Sequence, residues 1–376
     1  MKILVIHTTA GAGHKKAAEA VYNGLLRHTT HQAHLVDALD YTNLFFKASY
    51  PKIYVFLVTK MPWLWQACFL LFNIPFLRPL LSLVRRYYNA INTQALVKFL
   101  KQEYFDVIMT THFMPAEVSS YLKRTGQIKS KVICVVTDFD AHPIWINQGI
   151  DVYTAACEYT KEKIVNFGIN PQSVFVTGIP TDEKFAIMTD RPLIRQRLKI
   201  NADLFTVLVA TGSFGMGPIE DLVDLLQGYQ LLIVCGNNRR LYERLQVRAA
   251  GHAAPPHGGA RSGAGRVHVF GLVGNMHELM AAADCIVTKP GGLSIAEALV
   301  KKLPMIFFSA IPGQETGNIN VLKKYQAAWD QGSLRDIVGK IDDLSSSPQA
   351  YEALRQKLEA LSKPNAVRDI ISLIQS

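Results

Sequence analysis

The chain lacks the short motifs that would place it quickly. Its 376 residues contain no GxxxxGK[ST] run, no HExxH and no GxSxG. P-loop chemistry, zinc proteolysis and nucleophile-elbow hydrolysis are therefore without their sequence marks. Cysteine is scarce: Cys68, Cys134, Cys157, Cys235 and Cys285 are scattered, with no CxxC pair. Most sit in apolar, strand-like runs, which reads as core thiols in a reducing compartment and indicates no metal site. Acid is in deficit: 30 Asp and Glu stand against 40 Lys and Arg, a net charge of +10. That surplus points to an anionic partner, either nucleotide phosphates, nucleic acid or an anionic membrane surface. No nucleic-acid motif accompanies the charge, and it travels with apolar aromatic segments, so nucleic acid is the weakest of the three. A long uncharged run is also missing. Met61 to Leu77 reaches 17 residues and contains Pro62 and Pro75, short of the roughly 20 that a spanning helix needs. The opening run Ile3 to Ile6 is too short for a signal peptide and reads as the first strand of a cytosolic protein.

What is present is alternation. Apolar strand-like runs at 3–6, 36–39, 105–111, 132–137, 152–155 and 174–177 alternate with helical patterns, one doubly wound unit through residue 180. A second series follows at 205–210, 231–235, 267–271, 284–288 and 305–308. At 376 residues, two domains are the ordinary expectation. One helix is expected over 91–101, and helix again from 350 to the end. The stretch Arg248 to Arg266, rich in Ala, Gly, Pro, Arg and His, reads as a flexible surface insertion.

Polar residues and glycines gather where the strands end, the place where open α/β sheets bind ligands. Gly11-Ala12-Gly13-His14 follows the first strand and opens a helix. GxGxxG would need glycine at Lys16, so a dinucleotide cofactor is poorly supported. His14 sits at a helix start, where the dipole favours a neutral imidazole suited to a general base; a solvent-facing or capping histidine fits the loop as well. Lys289-Pro290-Gly291-Gly292-Leu293 follows the strand at 284–288 and opens another helix, with Glu297 further along it. Backbone N–H groups there can face a diphosphate and the acid a ribose, although a plain tight turn fits the same residues.

Residues 44–89 differ in kind. Phe45, Phe46, Tyr50, Trp63, Trp65, Tyr87 and Tyr88 mingle with aliphatic residues, and Lys47, Lys52, Lys60, Arg78, Arg85 and Arg86 flank them. Such a mixture suits a segment lying in a membrane interface.

Five motifs in fixed order carry a family resemblance: Gly11 to His14 with the AAEA helix, Thr137-Asp138 with His142-Pro143-Ile144-Trp145, Gly212 to Ile219, Lys289 to Leu299, and Pro312 to Asn318. Together they resemble the monogalactosyldiacylglycerol synthases and bacterial diacylglycerol glucosyltransferases, GT-B enzymes distantly related to the transferase that adds N-acetylglucosamine to lipid I. The resemblance implies an α/β fold of two Rossmann-like domains facing a cleft. It implies an acceptor and membrane-binding domain at 1–180 with 44–89 as its membrane-associating region, a linker at 181–192, a UDP-sugar domain at 193–358, and a last helix at 359–376 packing back on the first domain.

It further implies inverting transfer of glucose or galactose from a UDP-sugar to the hydroxyl of 1,2-diacylglycerol. The protein would be peripheral, on the cytoplasmic face of a membrane with anionic lipids, and would need no cofactor and no metal. His14 is implied as the base. Gly13 is implied among the donor-binding residues, Gly215, Met216, Gly291, Gly292 and Leu293 at the diphosphate, Val273 and Met276 at the uracil, and Glu297 at the ribose. Gln314 and Glu315 are implied at the sugar and Asn318 at a phosphate. Asp138, His142, Pro143 and Trp145 would line the acceptor side, Trp145 near lipid. Ala12 and Ser213-Phe214 depart from the glycine-richer loops of the family. A polyprenyl-linked acceptor, and a non-catalytic membrane-bound sensor of nucleotide sugars, are the rival readings.

Overall fold

Short apolar runs bounded by polar turns form eleven parallel strands in a computed structural model of the chain, which describes all residues except 10, 211, 213–216, 252–266, 331 and 376. The first sheet holds β1 (Lys2–His7), β2 (Gln32–Asp37), β3 (Val107–Thr110), β4 (Lys131–Val135), β5 (Val152–Ala155) and β6 (Val174–Val176), in the order β2-β1-β3-β4-β5-β6. The second holds β7 (Thr206–Ala210), β8 (Gln230–Val234), β9 (Val267–Phe270), β10 (Cys285–Thr288) and β11 (Met305–Phe307), in the order β11-β10-β7-β8-β9. Helices cover both faces, so strands such as β3 and β8 are buried along their whole length, as parallel strands are. In each sheet the order reverses beside its first strand: between β1 and β3, and between β7 and β10. Ligands bind at such switch points, and here the two face one another.

Several boundaries differ from the sequence expectation; the helix expected from 350 to the end, with a last helix at 359–376, is two helices, Pro348–Leu361 and Ala366–Ser372. The second strand runs over 32–37, and Ala38–Tyr41 is a 3₁₀ turn whose Leu39 N–H donates to the Asp37 carboxylate at 3.0 Å. This edge strand begins with polar Gln32 and His34, so apolar patterning starts too late to mark it. The helix expected over 91–101 is broken at Thr93. There the buried hydroxyl donates to the Asn89 carbonyl at 2.8 Å, ending one helix before Gln94–Gln102 begins. Near the other end, Pro348–Leu361 packs with the second sheet. The chain then crosses over, and Ile370, Leu373 and Ile374 pack against Val21 and Leu25 of α1 (Ala12–His28). Of the stretch read as an insertion, Arg248 to Gly251 finish the helix Arg239–Gly251; the rest, with His252 and His257, lies outside the described residues.

Residues 44–92 form α2 (Leu44–Lys60), α3 (Pro62–Leu71) and α4 (Arg78–Asn92). None is long and apolar enough to cross a membrane, and α2 and α3 meet at 108°. The helix α4 is inside out. Its polar edge faces the protein: Arg85 donates to the buried Glu117 carboxylate at 2.9 and 3.1 Å and to the Ile144 carbonyl at 3.2 Å, and Asn89 donates to the other Glu117 oxygen. Its apolar edge, Leu80, Leu83, Val84, Tyr87 and Ile91, is at least half exposed. With Leu44, Phe45, Phe56 and Trp63 on the two neighbouring helices, also more than half exposed, this is far more clustered apolar surface than a water-facing region carries.

Candidate active site

The two switch points enclose a cavity of about 380 Å³, within the usual size of ligand sites. One wall comes from the end of β1, the start of α1 and the end of β4. The other comes from the end of β10 with the helices Gly292–Val300 and Gln314–Lys324.

On the first wall, glycines let the chain turn from β1 into α1 and place His14 in its first turn, half-buried. His14 Nδ1 lies 2.7 Å from the Thr111 carbonyl and 2.9 Å from the Thr137 hydroxyl. A carbonyl only accepts, so the proton sits on Nδ1 and the lone pair is left on Nε2. His112 meets the ring edge-on at 4.7 Å, and Trp145 lies 6.0 Å away. Burial holds the imidazole below its usual range, against the opposing pull of Asp138 and of the Thr111 carbonyl. Asp138 is buried, and that burial raises its carboxyl. His14, the Trp145 indole N–H at 3.0 Å and the Gln314 amide act against the rise. The neutral base and the nearby carboxylate suit proton abstraction, since the carboxylate would stabilise the imidazolium that results.

These directions set a pH dependence. A base whose pKa is lowered stays unprotonated further into acid, so the acid limb of kcat/KM should have its midpoint below pH 6.5. Removing the Asp138 charge by Asp138→Asn removes a raising influence, so the limb should move lower still while the rate falls. A limb at or above pH 6.5 in the parent enzyme would contradict the assignment.

On the second wall, Gly291 precedes the helix Gly292–Val300 and leaves its first N–H groups open to the cavity. Lys289 lines the cavity on this wall, and Lys16 of α1 lines it on the first. Burial lowers Lys289, opposed by Glu315. Glu297 is pushed up to about 8, chiefly by burial, with Lys16 acting the other way. Glu315 is raised by burial although it accepts the Ile311 N–H at 2.7 Å. Val273, Met276, Gly13, Leu293 and Gln314 also contribute to the lining.

The structure thus brings together His14, Gly13, Asp138, Val273, Met276, Gly291, Gly292, Leu293, Glu297, Gln314, Glu315 and Asn318 around one cavity. Three expectations change in detail. Trp145 does not face lipid: it is 1 % exposed and packs beside His14 with its N–H on Asp138. Its indole is worth more in the core with a partner for its N–H than at a surface. Pro143 is likewise buried, and His142 lies under the Phe69 ring at 3.8 Å, which places the pair behind the cavity wall. Asn318 is fully buried and ties the two halves together. Its Oδ1 accepts from Phe139 and Asp140 N–H at 2.9 and 3.1 Å, and its Nδ2 donates to the Pro290 carbonyl at 2.9 Å. Its oxygen is therefore committed to the protein. Gly215 and Met216 lie outside the described residues.

Sequence reasoning gave no role to Lys16, Lys289 or His112. The two lysines stood inside motifs already singled out, and their charge beside glycine loops was the available signal. The contact of His112 with His14 joins residues 98 apart in number and had no local mark.

Two facing parallel-sheet units with the site at their paired switch points define the class by its architecture, the GT-B fold. Residues 14–181 match the model for monogalactosyldiacylglycerol (MGDG) synthase, and residues 206–368 match the glycosyltransferase family 28 C-terminal domain. The two matches follow one another and together span most of the chain, so its two halves carry these two glycosyltransferase domains. Among curated relatives, the processive diacylglycerol beta-glucosyltransferase of Bacillus pumilus is 28% identical over 270 residues, 71% of this chain and 67% of that protein. The enzyme of the same name from Bacillus licheniformis is 27% identical, covering 76% and 72%. Among solved structures, Acinetobacter baumannii MurG superposes with a TM-score of 0.62 at 16% identity, over 100% of this chain and 99% of that one. Anabaena Alr3699/HepE in complex with UDP-glucose gives 0.55 at 13%, over 100% and 99%. At these identities the structures speak for the fold.

Proposed function

We propose that this chain transfers a hexose, glucose or galactose, from its UDP-sugar to the hydroxyl of 1,2-diacylglycerol, as a peripheral protein on the cytoplasmic face of a membrane. The observation that carries the reading is the pairing across one cavity of His14, with its Nε2 lone pair free, and the helix end at Gly292 flanked by Lys289. An acceptor hydroxyl gives its proton to Nε2 as its oxygen attacks the anomeric carbon from the face opposite UDP. The bond to the diphosphate breaks, and the charge that develops on UDP meets backbone N–H groups, the positive helix end and the two lysines. In this reading those groups do what a metal would otherwise do, and no cofactor takes part. Asp138 balances the imidazolium. Glu297 serves the ribose and Gln314 and Glu315 the sugar hydroxyls. Closing both substrates in one cleft replaces a bimolecular encounter.

The exposed apolar edges of α2, α3 and α4 support a membrane-facing side, with the exposed Lys52 and Lys60 available to anionic headgroups. Incubation with radiolabelled UDP-glucose or UDP-galactose and diacylglycerol vesicles tests the reaction; absence of a labelled lipid with either donor would sink it. Flotation with vesicles should improve with anionic lipid and weaken as salt rises. Salt-insensitive flotation would instead mark purely apolar insertion.

A further inference from the structure

The helix α2 carries exposed apolar surface on one side and forms the wall of the cavity on the other. Ile53 and Phe56 are half exposed, whereas Tyr54, Val55 and Val58 line the cavity. The pattern follows from helical spacing, which puts 54, 55 and 58 on one face. Tyr54 is held from behind by the Trp65 ring, edge-on at 5.3 Å. The far end of α3 is in turn fastened to both domains. The Phe69 ring stacks on His142 at 3.8 Å and its carbonyl lies 3.0 Å from His142 Nε2, while the same ring sits against Gly313, which has a positive φ of 85°. Tyr54 therefore has a fixed place relative to the reaction centre. Its hydroxyl makes no hydrogen bond among the described residues, and it lies within the electrostatic reach of the Glu315 and Asp138 carboxylates.

We propose that Tyr54, Val55 and Val58 form the acceptor subsite: the Tyr54 hydroxyl binds the oxygen of the attacking hydroxyl beside His14, and the two valines carry the glycerol and first acyl carbons. This rests on the lipid-transfer reading above. The argument is one of chemical match. The diphosphate wall presents helix N–H groups and Lys289. The α2 wall is apolar except for one hydroxyl, and the acceptor is a molecule that is apolar at its acyl chains and reacts through one hydroxyl. A buried phenol stays protonated throughout the working pH range, because burial and the two carboxylates all raise it. It can donate to the acceptor oxygen and leave that oxygen's own proton directed at Nε2. The position also explains why α2 faces two ways: an acceptor that stays in the bilayer reaches the cleft along the helix that touches both.

The test uses dioctanoylglycerol in mixed micelles, so that vesicle binding does not enter the readout. Tyr54→Phe keeps the ring packed on Trp65 and removes only the hydroxyl. The KM for dioctanoylglycerol should rise about tenfold, the usual consequence of one lost hydrogen bond to a substrate, with the KM for the UDP-sugar unchanged within about twofold. Val58→Ser should raise the acceptor KM in the same direction. A rise in the donor KM instead would assign Tyr54 to the sugar and overturn the proposal. So would unchanged constants, or a lowered thermal midpoint with both KM values shifted together. A parent enzyme silent toward every pairing of diacylglycerol with UDP-glucose or UDP-galactose would overturn the transfer reading itself.

Discussion

His14→Ala should lower turnover by about 10²–10⁴-fold, the range usual for a positioned acid or base, while UDP binding stays nearly intact. The separation of effects follows from the geometry. His14 stands on the β1–β3 side of the cavity, held by Thr111, Thr137 and the edge of His112. The phosphate-facing helix end belongs to the other sheet. Removing the imidazole takes away the proton acceptor and leaves the helix N–H groups, Lys289 and Glu297 where they were. Single-turnover assays with the chosen donor, beside calorimetric titration with UDP, would measure both quantities. Turnover that survives in the variant would remove His14 as the base and leave Asp138 as the next carboxylate to test.

Gly292→Ala should cost about 10²-fold or more in kcat/KM, through the cleft rather than through the phosphates. A Cβ at Gly292 would lie 2.0 Å from the Thr137 carbonyl oxygen and 3.0 Å from its carbon. Both are backbone atoms of the opposite domain, so no side chain can swing aside. Overpacking of this kind costs roughly 1–3 kcal/mol even when neighbours yield, and here the available relief is to move the two sheets apart. Such a shift would draw His14 away from the donor, and positioning errors of about 1 Å cost on the order of 10²-fold. The adjacent glycine is the control. A Cβ at Gly291 meets only Glu315 Oε1 at 3.8 Å, so Gly291→Ala should be much milder. Small-angle scattering should show Gly292→Ala more open than the parent, with little change in the melting of either domain. Equal activity of the two variants would show that the glycine pair serves the turn alone.

These two positions also show how much of the molecule was legible in the sequence. Strand–glycine–helix units at 3–27 and 284–299 have local causes, because apolar runs, chain reversals and helix starts are properties of neighbouring residues. The alternation of such units gave two doubly wound domains, and the motif order gave the family. The bounds of β2 were harder to read because an edge strand carries polar residues that break the pattern. The roles of Trp145 and Asn318 were out of reach for a different reason. An indole near a polar turn suits a membrane surface as well as a core, and an asparagine beside a helix start suits a phosphate as well as a domain contact. Only the partners decide: Asp138 for Trp145, and Phe139, Asp140 and Pro290 for Asn318.

The region at 44–89 divides the same way. Its aromatic, apolar and basic composition sets it apart from the sheets at once. That α4 is inside out depends on Glu117 and Ile144, which lie 28 positions along the chain from Asn89 and 59 from Arg85, respectively. That α2 turns one face into the cavity depends on how Phe69 seats between His142 and Gly313. By itself, then, the sequence determined the two sheets, the places where a ligand meets them and the family, since these follow from periodicity and from motifs read in order. The tertiary structure decided which nitrogen of His14 keeps its lone pair, why Gly292 carries no side chain and which face of α2 meets the cleft, since each is set by atoms that only folding brings within contact.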